Sequence, residues 1–512
     1  MSLNQTMNIS LGSMKNNQYA LTVVSQNIAN MDVEGYHRQR VDFQTNEYTT
    51  NCENVISTIK GMNGASISSL SDYIDDAAFN GLLDSNSEAE YYNTLADAVS
   101  GLEDLADQLG DNGLNALLND FYAAAANLEQ FPTDMAIRQQ FVQATQNVCD
   151  KFNEISTKCD SIQEDKFQTI DIEVQTINNL LSNLATANEE HIKNGQSTAT
   201  QANINSLLTE LSNYMDVTTT KNANGSVNVF LDDIALVQGC EQKYTFEAEF
   251  DKDNPDKALS FSLRSLDNPD YVLSNGINEA FKSGSMKANI EFLNGSGGKY
   301  ANVNDIRSAI DSAANAFANA LNDIQTYKSD DGKIFAAALG ADGDGNTILI
   351  ESKDIPMFVS SDGLDFSAGN IKVNNAIIDD PYLVAAARID LNKYDAGEDW
   401  TKSIGNSDNA TLITGLQNEK ICTQINGKNK CTLSDFLTTN AANVGTDIAT
   451  IQNKADVAQN IADTDANNYA NLIGVNLDEE LADMIKYQRA FEASARIFST
   501  ASDLMATIIG MV

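Results

Sequence analysis

Two histidines, His37 and His191, are the only imidazoles in 512 residues. A metal centre or a histidine general base needs a second ligand or an orienting carboxylate within reach. Neither histidine has a second His, a Cys or a catalytic companion nearby in sequence. His37 stands beside a Gly-Tyr turn and His191 is in phase with Ile177 and Leu184, so both are read as structural. The run Asp342-Gly-Asp344-Gly-Asn346 opens like a calcium loop. Its sixth position is Thr347 in place of Gly and its twelfth is Lys353 in place of Glu, so a pair of turns is expected there. HExxH, GxSxG, P-loop and GxGxxG patterns are all missing from the chain. No catalytic, cofactor or metal residue is assigned on these grounds, and the chain reads as a non-enzyme.

Six cysteines are too sparse for a disulfide scaffold and lack CxxC spacing. One pair stands out. In KICTQINGKNKCT, Asn426-Gly427 is the strongest two-residue hairpin turn, and counting outward from it sets Cys422 opposite Cys431. That pair would be a non-hydrogen-bonded one, with Cα atoms ~4.5 Å apart, the short end of the disulfide range. A cross-strand disulfide outside the cell and two reduced thiols are both open readings. Cys149 and Cys159 cannot bond within one helix, being ~15 Å apart along its axis.

The elements that carry these residues are sketched by composition and period. The formal charge is −40 and the pI about 4.1, which excludes the basic face that nucleic acid or an anionic membrane requires. With 42% hydrophobic residues the chain can fill several cores, about three at ~150 residues each. No run of 18 apolar residues occurs, so no membrane insertion is expected. The N-terminus, with neither a basic n-region nor a continuous apolar h-region, is not read as a secretory signal.

Both ends carry a seven-residue apolar repeat, the pattern that keeps one seam facing a partner helix. At the start it is Met7, Met14, Leu21 and Ile28, flanked by Leu3, Leu11 and Val24. Lys15 is the single charge in residues 1–30, unlike an ordinary solvated helix face. At the finish it is Leu477, Met484, Phe491, Phe498, Met505 and Val512, with Leu481, Ala495 and Ile509 at the second seam position. Asn476 is placed to cap that helix, with Glu479 three residues on in a capping-box arrangement. Such seams fit an intramolecular hairpin of the two ends or an intermolecular coiled coil. The simplest economy is that the ends pair and the pair packs on other subunits.

After the first helix comes SQNIANMDVEGYHRQRVDFQ, and the chain closes with GVNLDEELADMIKYQRAFEASARIFSTASDLMATIIGMV. Asn27-Ile28-Ala29-Asn30, a short turn, Gly35-Tyr36 and the Arg38-containing extended run resemble the N-terminal signature of the flagellar axial proteins of rod, hook and junction. The closing run, opening at Gly474 and Asn476, is similar to their C-terminal signature, in the form found in hook-associated members lying between hook and filament. The interior agrees. PTDMAIRQQFVQATQNVCDKFNEIS resembles that branch's first long helix, GSVNVFL its first strand after the helices, and DPYLVAAA its segment before the C-terminal region. One departure is the turn, Asp32-Val33-Glu34-Gly35-Tyr36 where the family carries Thr-Pro-Gly-Tyr, which removes a fixed φ.

The resemblance implies an extracellular structural subunit at the hook–filament junction, exported by the flagellar type III route without a cleaved signal. Implied partners are further copies of the chain, hook protein, a second hook-associated protein, and a cytoplasmic export chaperone on the C-terminal helix. Hook or distal rod protein is the nearer alternative, and a secreted adhesin or coiled-coil scaffold the distant one.

Between the ends, Leu95, Val99, Leu102, Leu105 and Leu109, then Leu114, Leu117, Phe121 and Leu128, give helical stripes. Past Pro132, with Thr133 or Asp134 as cap, Phe141, Val148, Ile155, Ile162, Ile170, Ile177 and Leu184 suggest one very long helix or two collinear ones. Residues 51–215 hold 25 acidic against 6 basic residues, so the acidity sits on the middle of the chain. From 216 the period changes to β, with a hairpin at Asn224-Gly225 and turns at Asn254-Pro255 and Asn268-Pro269. A helix returns at Ile306–Ile324, β segments run to about 380, and helix resumes at Leu433. The fold class is therefore α+β and multidomain. A discontinuous terminal helical coiled-coil domain (1–45 with 470–512) is expected. A long-helix-rich, mainly α-helical middle domain (46–215 with 301–328 and 410–469) and inserted β-rich outer domains (216–300 with 329–409) complete the reading.

Overall fold

The computed structural model describes residues 3–31, 36, 38–50, 59–72, 76–110, 113–194, 197–251, 258–294, 299–395, 398–423 and 429–510. The chain is α+β, helix predominating. It opens with α1 (Leu3–Ala29), followed by an antiparallel hairpin of β1 (Gln39–Thr50) and β2 (Ile59–Asp72). Bulges at Asp42/Phe43 and Thr45/Glu47 twist that hairpin. Four helices that contribute to the main core follow: α2 (Asp76–Ser100), α3 (Glu103–Leu109), α4 (Leu114–Gln130) and α5 (Met135–Lys193). The last is one continuous helix of 59 residues, ~90 Å at 1.5 Å per residue. Asp134 starts it, accepting from the backbone N–H groups of Ala136 and Ile137 at 2.8 and 3.4 Å. Phe141, Val148, Ile155, Ile170, Ile177 and Leu184 are all fully buried along its inner stripe.

After α6 (Thr198–Tyr214) come β3 (Thr218–Lys221), β4 (Val227–Leu231), β5 (Ile234–Gln238) and β6 (Glu241–Gln242), an antiparallel meander. A second sheet holds β7 (Tyr244–Phe250), β8 (Leu259–Ser265) and β9 (Val272–Leu273). Asn268 turns the chain between the last two, its carbonyl accepting from Tyr271 N–H, whereas Asn254-Pro255 lies outside the described residues. Short helices α7 (Ile277–Ala280) and α8 (Gly284–Leu293) lead to α9 (Val303–Gln325). Gly284 has φ +84°, and a Cβ there would meet the Tyr214 and Met215 backbone at 2.5 Å, so only glycine fits.

A third sheet has the order β11 (Thr347–Glu351), β10 (Ile334–Ala341), β14 (Ala387–Asp390), with the pair β12 (Phe358–Ser360) and β13 (Ile371–Val373) beside it. Helices α10 (Asn375–Asp379) and α11 (Asp408–Gly415) and the short pair β15 (Cys422–Thr423) and β16 (Lys430–Cys431) precede two long closing helices, α12 (Leu433–Ile473) and α13 (Leu477–Gly510).

Helix-borne asparagines fasten helices to strands. Asn178 and Asn188 on α5 and Asn322 on α9 each accept from one strand residue's N–H and donate to the same residue's carbonyl. Their partners are Phe246, Val227 and Phe358, at 2.8–3.1 Å. An amide so placed copies an antiparallel strand neighbour, satisfying backbone groups that the sheet leaves open. That gives a physical role to some of the polar residues on otherwise apolar helix faces.

Candidate functional site at the paired chain ends

Helices α1 and α13 lie antiparallel. Ser13 Oγ meets Ser494 Oγ at 2.9 Å, and Asn27 near the end of α1 reaches Glu480 near the start of α13. The inner line of α1 alternates three- and four-residue steps through Ser10, Ser13, Asn17, Ala20, Val24 and Asn27. On α13 the line is Glu480, Met484, Tyr487, Phe491, Ser494, Phe498, Ala501 and Met505. Among the sequence-selected residues, Leu3, Met7, Met14, Leu21 and Ile28 are half-buried along the flank, and Leu11 is exposed. Met484, Phe491, Phe498 and Met505 are half-buried on the seam, whereas Leu477, Leu481 and Ile509 are exposed. Within the chain, then, the second flank of the α13 seam runs through Glu480, Tyr487, Ser494 and Ala501 instead of Leu481 and Ile509. Apolarity favours the i+4 neighbour of Leu477; the small and polar groups offered by α1 select the i+3 neighbour.

A polar node fixes this pair. Glu480 is 1% exposed. It accepts from Arg38 Nε at 2.7 Å and from Asn27 Nδ2 at 3.1 Å. The same Asn27 amide donates to Gln39 O and accepts from Gln39 N–H and the Tyr36 hydroxyl, at 2.9, 3.1 and 3.0 Å. Arg38 Nη1 reaches Glu479 at 2.5 Å, and Arg38 N–H donates to Ile473 O at 2.9 Å, tying β1 to the end of α12. Burial pulls the Arg38 guanidinium down, but its hydrogen bonds and charge contacts with Glu480 and Glu479 outweigh that and hold it above its ordinary value. Beside the node, Ala20, Val23 and Val41 are buried with Ile67 and Tyr487 against them, and Phe43 tilts over Tyr487 at 6.3 Å.

Among the other motif residues, Asn30 donates to Gln26 O at 2.9 Å as α1 ends, and Ala29 is exposed. Gly35 and His37 lie outside the described residues. Gly474 leaves α12 where a Cβ would sit 2.5 Å from Ala470 O. Asn476 caps α13, accepting from Asp478 and Glu479 N–H at 2.9 and 3.4 Å. The reciprocal arm of a capping box is replaced: the Glu479 carboxylate turns to Arg38. The sequence pattern did not single out Glu480. The available signal was a carboxylate in seven-residue phase with Tyr487, Ser494 and Ala501.

A second long-range node joins two of the motif segments. Arg138 of α5, 1% exposed, donates to the carbonyls of Pro132, Pro381, Tyr382 and Val384 at 2.6–3.2 Å. Burial lowers its pKa to about 10, against the opposing pull of Tyr382 and Asp380, and it stays charged at neutral pH. It holds the Asp380-Pro-Tyr-Leu-Val segment to the start of the long helix.

The chemistry-bearing candidates fall elsewhere. His191 is buried on α5 with Nδ1 2.7 Å from Thr200 Oγ1, its pKa lowered by burial and by Lys221. Asp342 accepts from Asp344 N–H, Asn346 N–H and Asn346 Nδ2 in the turn between β10 and β11, which holds its carboxyl below the usual range. Among the described residues, no group of three or more His, Cys, Asp or Glu is placed to hold a metal, and no helix is long and apolar enough to cross a membrane. Cys422 and Cys431 are partners in register, both buried and both free thiols.

Comparison with known proteins matches three families along the chain. Residues 99–334 match "Flagellar hook-associated protein FlgK helical domain". Residues 7–37 match "Flagella basal body rod protein" and residues 467–511 "Flagellar basal body rod FlgEFG protein C-terminal". Flagellar hook-associated protein 1 of Bacillus subtilis (strain 168) is 25% identical over 528 residues, covering 96% of this chain and 95% of that protein. The protein of that name from Salmonella typhimurium is 23% identical, covering 99% and 100%. In fold, the chain is similar to the flagellar hook junction protein FlgK from Burkholderia pseudomallei, with TM-score 0.59 and 10% identity over 76% of this chain and 99% of that one.

Proposed function

We propose that this chain, similar along nearly its whole length to flagellar hook-associated protein 1, is a structural subunit of the bacterial flagellum at the junction of hook and filament. The rod-family matches fall on the two ends that the structure brings together, and the hook-associated helical-domain match falls on the core between them. The observation that carries the mechanism is the state of α13. Of its 34 residues only Glu480, Ser494 and Ala501 are buried, while Leu477, Leu481, Ile485, Ile497, Leu504 and Ile508 stay between 40% and 53% exposed. Covering them in an assembly contributes about 1 kcal/mol each, taking the exposed half of a full Leu or Ile burial.

In this reading α1 and α13 form the terminal coiled-coil domain, and Leu3, Met7, Leu11, Met14, Leu21, Ile28, Leu477, Leu481, Met484, Phe491, Phe498, Met505 and Ile509 complete the packing between copies. The terminal helices gain order as neighbours arrive. The acidic middle and the β-rich outer parts face water, which keeps like-charge repulsion off the packed ends. Hook protein and a second hook-associated protein are the neighbours along the axis, and the subunit does no chemistry. The chain leaves the cell by flagellar type III export, with a chaperone groove taking the apolar face of α13 beforehand. Deletion of residues 1–30 tests this. The expected product is a folded monomer, unchanged in its main thermal transition, that no longer polymerises; a truncated chain that still polymerises refutes the reading.

A further inference from the structure

The feature the assembly reading leaves unused is the cysteine pair of the antiparallel strands β15 and β16, the expected Asn426-Gly427 turn lying outside the described residues. Cys422 is directly opposite Cys431, and Thr423 opposite Lys430. Both cysteines are buried on the same side against the main core, 4% and 6% exposed, and Cys431 Sγ lies 3.9 Å from Cys422 O. Cross-strand partners in an antiparallel pair have Cα separations inside the disulfide range. Cys422 also forms part of the wall of a groove of about 460 Å³, lined further by Asp311, Asn315, Phe366 and Phe436. A small oxidant therefore has a route to this pair. Cys149 and Cys159 are both buried inside α5 and stand two and a half turns or more apart on that one helix, too far to bond to each other.

We propose that Cys422 and Cys431 are a disulfide-forming pair, oxidised by exchange with a small-molecule disulfide that enters through this groove. The Cys422 thiolate attacks one sulfur of the oxidant, forming a mixed disulfide and releasing one thiolate. The Cys431 thiolate then attacks Cys422 Sγ and displaces the second. Two protein thiols are oxidised, one disulfide is reduced to two thiols, and the two protons given up by the cysteines end on the released thiolates. Thr432, the next residue, caps α12 by accepting from Asp435 N–H at 3.1 Å. The bond thus clamps the start of a 41-residue helix to the chain leaving α11. Burial raises both thiols, Cys422 to about 12, which keeps the thiolate fraction small and makes the exchange slow in the folded chain. The inference goes beyond the assembly reading and needs only oxidising surroundings.

The test uses the full chain, reduced, then exposed to oxidised glutathione both as folded protein and during refolding from urea. Remaining thiols are alkylated and the protein is digested with trypsin without reduction. Lys428 and Lys430 lie between the two cysteines, so cleavage separates them unless they are bonded. The expected result is residues 421–428 linked to the peptide beginning at Cys431, two hydrogens lighter than the free pair, with two of the six thiols lost. Cys422→Ser should leave Cys431 carrying a single glutathione and no link. Both cysteines alkylated, or each capped separately by glutathione, or either joined to Cys240 of another copy, overturns the proposal, provided this holds in the folded and the refolded samples. These outcomes are read on monomers and do not depend on polymerisation.

Discussion

Arg38→Ala should loosen the ends of the chain far more than loss of any exposed ion pair. Arg38 faces three carboxylates, Glu479, Glu480 and Asp483, at 2.5, 2.7 and 3.9 Å. Glu479 has a side chain 59% exposed, so its contact is worth about 0–1 kcal/mol. Glu480 has a side chain only 2% exposed, and without Arg38 its charge keeps a single described donor, Asn27. Removing one member of a buried pair costs ~3–5 kcal/mol, and the lower end applies because Arg38 is itself 23% exposed. A loss of ~3 kcal/mol is a factor of roughly 10² in the opening equilibrium. Hydrogen exchange over residues 38–43 and 477–490 reads it directly: Arg38→Ala should accelerate exchange by that factor, and Glu479→Ala by less than about 5-fold. In the cycle with Glu480→Ala, the double variant should lose clearly less than the sum of the singles, since both remove the same contact. Equal effects of Arg38→Ala and Glu479→Ala, or strict additivity in the cycle, would refute the node as the fastening of the two ends.

Other perturbations probe the rest of the molecule. Arg138→Met leaves four carbonyls, three of them in buried contacts, without their shared donor and should lower stability by about 3–5 kcal/mol in urea unfolding followed by circular dichroism; a loss under about 1 kcal/mol contradicts the role given to it. Gly284→Ala should destabilise by at least ~2 kcal/mol, from the left-handed φ and the backbone clash together, with a lowered thermal midpoint as readout. Glu173 has its carboxyl raised by burial, partly offset by Lys166 and by donors from Ser285 and Asn289. Because its folded pKa exceeds the unfolded one, the ionised group subtracts stability at neutral pH, and that penalty vanishes as pH falls below the unfolded value. Glu173→Gln should therefore raise the urea midpoint at pH 7 and converge with the parent near about pH 4; a gain that persists unchanged at the lower pH contradicts the assignment.

Local pattern revealed the long elements because their energetics are local. The stripe from Phe141 to Leu184, the Asp134 cap and the hairpin register that pairs Cys422 with Cys431 each follow from spacing and turn chemistry within a few residues. The hairpin of β1 and β2 was not legible. Its strands, QRVDFQTNEYTT and IKGMNGASISSLSD, are rich in polar residues, the second carries two glycines, and they are held partly by α1, as where Asn16 donates to Ala65 O at 2.6 Å. Nor were the contacts of Arg138 or Asn188 legible, since a buried polar side chain declares itself only when its distant acceptor is known. At the ends, the sequence marked Asn27 and Arg38 as motif residues without saying what they touch. Their common partner, Glu480, lies more than 400 residues from Asn27 and Arg38.

The two kinds of residue on the terminal helices divide the task of holding and the task of joining. Apart from Val23 and Val24, the fully buried groups of the α1–α13 seam are small or polar, Ser10, Ala20 and Asn27 with Glu480, Ser494 and Ala501, while Met484, Phe491 and Phe498 are only half-buried there, so burial alone sets its register weakly. Glu480 supplies what burial does not. Sliding α13 by one heptad along α1 would set Tyr487 where Glu480 lies and withdraw the carboxylate from Asn27 and Arg38, a loss of several kcal/mol. A buried polar group used in this way specifies alignment, as a single buried Asn does in a coiled coil. The apolar residues freed from that duty, Leu481, Ile485, Ile497 and Leu504 among them, remain on the outer face. In the proposed assembly, terminal helices built so would present one fixed geometry to neighbouring copies while keeping these exposed apolar residues for the contacts between them.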